Sequence, residues 1–470
     1  MIKSDQNNLL LVETIDSVDE LNANFYGRFP YPWLASKFEY LHDLRFQTDM
    51  LNQAIGDWGH DVVPPDAKIW VAGCGVNQAV FTALKFPQAS VVGSDVSSTS
   101  LELCTETARQ LGIKNLELRQ ESLNHVTYQG EFDHVICTGV IHHNADPQAT
   151  LEKLSQAMKP TGVMELMVYN RFHWVIPVAF QQAVRTLCSS QDELNFETEL
   201  SVTRRIIEDV PKGIMLSRYL SRYNSASPEA MIADELLQPV IYSYTVESLE
   251  DMAAKCQLEM LMPCLNQFDK ETGNFSWNMN FSDPVLRDLY ESLPDTRRWH
   301  IANLFLMESS PMLWFYMQRT DGGRPRKTER VICEEFLDTV FARSSTTQKY
   351  FLRDEEEKYR LSPNEMQFPI AVPDPSVRKI VEAVDGRTAM REIFARLGLQ
   401  TNFHTVNQAR MKLTTPIFPH LKAVSASAQS NGDGHEEFDF AEVDTQKLAA
   451  AKRSKFTNIK PKAIKVSREV

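Results

Sequence analysis

A chain of 470 residues is longer than one hydrophobic core usually organises, so two domains and a tail are the expectation. Its 43% hydrophobic and 24% charged residues supply ample material for buried cores, which excludes wholesale disorder. A formal charge of -13 argues against a nucleic-acid partner, and seven cysteines with no Cys-x-x-Cys pair argue against a disulfide framework or a structural zinc site.

The first residues carry no basic segment followed by a long apolar run, and no stretch approaches the roughly eighteen uninterrupted apolar residues of a membrane span. The expectation is a cytoplasmic protein with no membrane partner. Residues 1–21 read as an N-terminal extension. The aromatic segment Phe25, Tyr26, Phe29, Tyr31 and Trp33 either packs an N-terminal helix onto a sheet or closes over a cationic ligand.

From residue 66 to about 170, short β-rich runs alternate with helical apolar spacing, the pattern of a parallel sheet with crossover helices. Strands are predicted at 68–72, 90–93, 116–118, 134–137 and 163–168, and helices at 78–84, 100–111 and 147–158, with Gly112 as a helix C-cap. Residues 170–240 read as a helical insertion interrupted at Pro177 and Pro211. A helix at 246–256 and strands at 258–262 and 312–317 complete the sheet around a second insertion, 263–311.

The stretch Thr320 to Arg330, with Gly322, Gly323 and Pro325, has linker composition, so the main domain is placed at 22–320. Residues 331–424, with amphipathic runs at 376–383 and 388–397, are predicted as a smaller, mostly helical or winged-helix-like domain. Residues 425–470 are too polar to fold alone and read as a disordered tail.

Chemistry-bearing residues cluster where an open α/β sheet binds ligands, beyond the carboxyl ends of its strands. The first predicted strand runs into Gly73-Cys74-Gly75-Val76-Asn77, where glycines let backbone approach a ligand closely. Asp95 ends the second strand, twenty residues past Gly75, the separation of a carboxylate that accepts hydrogen bonds from ribose hydroxyls. Glu121 and Ser122 follow the third strand and are candidates for the adenine amino group. The fourth strand ends at Thr138 and runs into His142 and His143, candidate general bases because imidazole titrates near neutrality. Tyr169, Asn170 and Arg171 follow the fifth strand and could border an acceptor pocket. No His, Cys, Asp or Glu grouping has metal-ligand spacing, so no metal is expected.

These segments resemble the class I methyltransferases, and more narrowly a bacterial subset. The carriers are Phe29-Pro30-Tyr31-Pro32-Trp33, Val71-Ala72-Gly73-Cys74-Gly75 and Val140-Ile141-His142-His143-Asn144-Ala145-Asp146-Pro147. The resemblance covers residues 22–170 and extends towards 320 through the terminal strands. It implies a Rossmann-like, seven-stranded sheet binding S-adenosylmethionine, with the carboxypropyl part of the cofactor near Gly73, Cys74 and Gly75 and its ribose at Asp95. Asn77 stands where the loop usually has a third glycine, and Asn best tolerates the left-handed backbone a glycine would adopt.

The implied reaction is methyl transfer to an oxygen or nitrogen of a small-molecule or peptide acceptor, with a protein partner conceivable through the C-terminal domain or tail. Two alternatives stay open on the residues alone. One is a catalytically silent cofactor-binding scaffold. The other is a nicotinamide-dependent oxidoreductase, since the Gly-to-Asp spacing serves that cofactor equally.

Overall fold

The computed structural model describes residues 15–32, 34–188, 195–265, 276–369 and 375–424. The extension's residues 1–14, Trp33 and the tail 425–470 lie outside them.

In chain order the elements begin with α1 (Ile15–Arg28), β1 (Lys37–Leu41) and α2 (Phe46–Ala54). The alternating segment comes next as β2 (Lys68–Ala72), α3 (Gln78–Lys85), β3 (Ser90–Asp95), α4 (Ser98–Leu111), β4 (Leu116–Gln120), β5 (Phe132–Thr138), α5 (Pro147–Ala157) and β6 (Met158–Val168). Local chemistry sets these boundaries. The Ser97 side chain caps α4 by accepting from the Ser100 amide, and Gly112 closes it at φ 68°. Asp146 caps α5 by accepting from the Ala149 amide at 3.0 Å, with Pro147 in the first turn, where no amide hydrogen is needed.

Beyond β6 lie α6 (Arg171–Cys188), α7 (Phe196–Asp209), α8 (Met215–Leu220), α9 (Glu229–Leu236), α10 (Val246–Lys255), β7 (Leu258–Pro263), α11 (Pro284–Glu291), α12 (Asp295–Leu306) and β8 (Leu313–Arg319). The sheet order is β4-β3-β2-β5-β6-β8-β7. β2 to β6 run parallel, and β8 is antiparallel to both of its neighbours. Strand order therefore reverses between β3 and β5 on either side of β2, and a crevice opens beyond the carboxyl ends there. Trp70, Phe132, Leu151, Met164, Trp299 and Phe315 fill the core on one side of this sheet. Each such side chain stabilises the fold by roughly 1.5–3 kcal/mol through burial.

The expected insertion at 170–240 is helical, as α6 to α9, with one departure. α6 continues through Pro177 instead of breaking there, and Pro211 lies past the end of α7. Phe180, Val184, Leu200, Ile232 and Leu236 form a second core with Phe25 and Phe29 of the N-terminal segment. The aromatic run near the N-terminus is thereby bound to an insertion some two hundred residues later.

The remaining elements are α13 (Glu329–Asp338), β9 (Phe341–Arg343), β10 (Thr346–Arg353), β11 (Tyr359–Phe368), α14 (Pro375–Ala383), α15 (Met390–Arg396), α16 (Phe403–Met411) and the short β12 (Thr414–Thr415), β13 (Phe418–Pro419) and β14 (Leu421–Ala423). The segment 331–424 holds the four helices α13 to α16 and, beside them, a long hairpin of β10 and β11. One expectation changes here. The segment is not separate in its contacts: β1 pairs antiparallel with β10, from Lys37 opposite Leu352 to Leu41 opposite Gln348. The Gln53 side chain of α2 donates to the Leu421 carbonyl at 3.1 Å and accepts from the Ala423 amide at 2.6 Å. The linker-like stretch is bonded as well. Arg326 pairs with Asp295 at 2.8 Å, and buried Glu329 accepts from Arg298 at 2.8 Å and from the Trp299 indole at 3.1 Å.

Candidate active site

A cavity of about 250 Å³ opens at the carboxyl ends of β2, β3 and β5. Its floor is the turn after β2. The amides of Gly73 and Cys74 both donate to the Ser94 carbonyl at 2.8 Å, and the Gly75 amide donates to the Asp95 carboxylate at 2.9 Å. The second carboxylate oxygen of Asp95 accepts from the Ser97 amide at 2.9 Å. Burial raises the Asp95 pKa, and the amides of Ser97, Gly75 and Val96 pull it back. Gly75 has φ 51°, and a Cβ there would stand 2.6 Å from the Tyr31 carbonyl oxygen; one at Gly73 would meet the Val140 side chain at 2.5 Å. Only glycine fits either place.

Of the residues singled out from sequence, Gly73, Cys74, Gly75, Asp95, Glu121, Thr138 and His143 line the cavity. Asn77, Ser122 and His142 do not. Asn77 sits at φ -128°, so it is no stand-in for a left-handed glycine; it precedes α3, and its carbonyl accepts from the Phe81 amide at 2.9 Å. Ser122 is outside the lining and donates to Asp19, which leaves Glu121, itself accepting from the Tyr128 hydroxyl at 2.5 Å, as the acid at the β4 end of the cavity.

The histidines are corrected as a pair of bases. His142 is fully buried outside the cavity, and neither ring nitrogen has a hydrogen-bond partner. Burial, then the neighbouring His143, holds its pKa well below the usual value. Its ring lies against Tyr169 at 3.7 Å between centroids, and Tyr169 stacks in turn on Trp174 at 3.6 Å. His143 reaches the cavity with one ring nitrogen bonded to the Val240 carbonyl at 2.7 Å and the other 3.3 Å from the Tyr169 hydroxyl. Burial lowers its pKa to about 4, so near neutral pH it is an uncharged positioning group for Tyr169.

Among the wall residues that sequence reasoning missed are Asp19 and Asn22 of α1, Asp234 of α9 and Trp314 of β8. α1 starts inside the segment read as an extension and closes one side, where Asn22 donates to the His143 carbonyl at 2.8 Å and Asp19 accepts from Asn124 at 2.9 Å. The aromatic segment divides its roles. Phe25 and Phe29 pack on α7 through Phe196, at 5.2 and 6.4 Å between centroids, whereas Tyr26 and Tyr31 face the cavity. Of the three residues after β6, Tyr169 alone lines it; Asn170 is buried, donating to Ser310 at 2.7 Å, and the Arg171 amide donates to the Tyr244 carbonyl at 2.7 Å. A sheet with this strand order, a glycine turn and a carboxylate at the next strand end can hold a nucleoside-containing cofactor.

A family model described as "Methyltransferase domain" matches residues 68–220. These residues belong to the class I methyltransferases. An uncharacterized protein of Synechococcus sp. is 25% identical over 50% of this chain and 57% of its own length. A ubiquinone biosynthesis O-methyltransferase of Chelativorans sp. is 36% identical over 18% of this chain and 33% of its own, and one of Dechloromonas aromatica is 26% identical over 33% and 65%. The chain thus spans a third to two thirds of the length of these curated relatives. PKMT2 from Rickettsia typhi, solved in complex with AdoHcy, shares the fold: the alignment covers 82% of this chain and 76% of that one, with TM-score 0.52 at 14% identity.

The cofactor of the methyltransferase domain is S-adenosylmethionine. The cavity fits it on its own geometry, since backbone stripped of side chains at Gly73 and Gly75 borders a buried carboxylate at Asp95. Among the described residues no helix is long and apolar enough to cross a membrane.

Proposed function

We propose that the chain transfers the methyl group of S-adenosylmethionine to an oxygen or nitrogen of a small-molecule or peptide acceptor. The observation that carries this reading is the continuity of one cavity: the Gly75–Asp95 pair lies at one side and residues of α1 and α9 wall the other, so cofactor and acceptor would meet inside. In this reading Gly73, Cys74 and Gly75 hold the carboxypropyl part, Asp95 the ribose, Glu121 the adenine edge, and Thr138 with Gly139 borders the methyl group.

The bound cofactor supplies an electrophilic methyl carbon on a sulfonium. The chain's own contribution is positioning, which can account for much of the rate acceleration of a displacement reaction. The size of the walls supports a small molecule or one side chain of a peptide; the chain's acidity speaks against nucleic acid. A protein partner bound through residues 331–470 is compatible with this reading.

Calorimetric titration of the purified chain with S-adenosylmethionine, S-adenosylhomocysteine and NADH tests it. Saturable binding of the first two is the expected result. Binding of NADH alone would replace this reading with the oxidoreductase, and affinity without turnover across a broad acceptor set would favour a silent scaffold.

A further inference from the structure

Asp234 is 5% exposed, sits on α9 in the helical insertion, and lines the same cavity as Asp95 and Tyr169. A buried carboxylate ordinarily has a cationic partner, because desolvating an unpaired charge is costly. Asp234 forms no ion pair among the described residues. Four arginines of α1 and the insertion are engaged elsewhere: Arg185 of α6 faces Glu199 of α7 at 3.7 Å, Arg28 of α1 and Arg204 of α7 face Glu229 at 3.1 and 3.8 Å, and Arg222 faces Glu235 at 3.7 Å. The titratable groups that bear on Asp234 are Glu235 on its own helix, Tyr26 and Tyr31 from the N-terminal segment, and Tyr169 after β6. Three of these are phenols whose rings wall the cavity with it.

A carboxylate without a cation, set among aromatic rings inside a cavity, is complementary to a ligand that brings the cation itself. We infer that Asp234 receives the acceptor, that the acceptor is an aliphatic amine bound as its ammonium, and that Asp234 takes the proton which frees the nitrogen for methylation. The inference rests on the methyltransferase reading above.

The step balances. The ammonium gives one proton to the Asp234 carboxylate and becomes a neutral amine. The nitrogen lone pair then forms the bond to the methyl carbon, and the pair of the breaking carbon–sulfur bond goes to sulfur. The product is a methylated ammonium and a neutral thioether, and Asp234 returns its proton to solvent when the product leaves. Burial, only partly opposed by hydrogen bonding from Gln238 and Tyr26, raises the pKa of Asp234 to about 7, which suits a group that must both accept and release a proton near neutrality.

The test uses the full chain saturated with S-adenosylhomocysteine, titrated calorimetrically with n-hexylammonium and with hexan-1-ol, for wild type and Asp234→Asn. The ammonium is expected to bind saturably and the alcohol at least tenfold more weakly. Ammonium affinity should rise as pH increases through about 7, as the carboxylate ionises. Asp234→Asn should lose at least tenfold in ammonium affinity and its pH dependence, while S-adenosylhomocysteine affinity stays within about twofold, which shows that the variant is folded. Equal binding of the alcohol, or an unchanged ammonium affinity in Asp234→Asn, overturns the inference while the methyltransferase reading stands. Failure of wild type to bind S-adenosylhomocysteine overturns both.

Discussion

The backbone amide of Gly75 donates to the Asp95 carboxylate at 2.9 Å, so the turn after β2 and the end of β3 are one hydrogen-bonded unit. Removing the carboxylate has two consequences: the group proposed to accept from the ribose is gone, and the Gly75 and Ser97 amides lose their partner. A hydrogen bond to a charged group contributes about 1.5–3 kcal/mol, so Asp95→Ala should weaken S-adenosylmethionine binding by roughly ten- to a hundredfold. Calorimetry on wild type and variant measures this directly. Unchanged affinity would remove Asp95 from the cofactor site.

Gly75 and Gly112 separate the two reasons for glycine. Both have positive φ, 51° and 68°, but a Cβ at Gly75 strikes the Tyr31 carbonyl at 2.6 Å, while one at Gly112 meets nothing within 4 Å. Gly112→Ala should therefore cost only the backbone preference, about 1–2 kcal/mol of stability, and leave cofactor affinity intact. Gly75→Ala has to push Tyr31 out of the cavity wall and should abolish measurable binding. Thermal melts and titrations of the two variants side by side give the comparison.

These two glycines also mark how far the chain is legible. The core sheet can be read because its strands are buried runs closed by turn residues: the strand expected at 68–72 has those bounds, and the others fall within a few residues of theirs. β1 escapes notice because Lys37–Leu41 pairs with residues more than three hundred positions away, and nothing local announces such a partner. Gly73, Gly75 and Asp95 are legible as cavity residues because local spacing puts them at the carboxyl ends of adjacent strands. Asp234 is not, because an acidic residue in a helix normally faces solvent, and only the packing of α9 against α6 and α7 turns this one inward. Asn77 misleads for a related reason: a glycine-like residue type need not have a glycine-like backbone, and the φ of -128° shows that it does not.

His143 and Asp234 should give stability profiles of opposite sign. Folding lowers the His143 pKa to about 4 from an ordinary value near 6.5, so between those limits the unfolded chain binds the extra proton and stability falls as pH drops. Folding raises Asp234 to about 7 from an ordinary value near 4, so over that range the folded chain binds the extra proton and stability falls as pH rises. Each effect is limited to about 1.4 kcal/mol per pH unit. Relative to wild type, His143→Gln should gain stability steadily from pH 6.5 down to 4.5, and Asp234→Asn from pH 4.5 up to 7. Denaturant melts across that range read both slopes, and parallel profiles for variant and wild type would count against either assignment.

The contacts across residues 320–330 predict what shortening the chain will do. A chain ending at residue 330 retains the methyltransferase domain but strips β1 of its pairing to β10 and leaves Phe38 and Tyr40, both buried, without the rings of Tyr359 and Phe351 that pack on them at 5.1 and 5.7 Å. It also removes the Leu421 and Ala423 backbone groups bonded to Gln53, so the buried face of α2 is exposed with its polar groups unmet. Burying a handful of large apolar side chains at roughly 1.5–3 kcal/mol each is comparable to the whole net stability of a typical domain, about 5–15 kcal/mol. The shortened chain should therefore melt far below the intact one, or be recovered only as aggregate, and protease should cut first between α1 and α2. Because the Tyr31 carbonyl that covers Gly75 lies on the same N-terminal segment as β1, cofactor affinity should fall together with stability. A truncated chain that melts and binds S-adenosylmethionine as the intact one does would instead make residues 331–470 an independent attachment, in keeping with the linker-like composition of their junction.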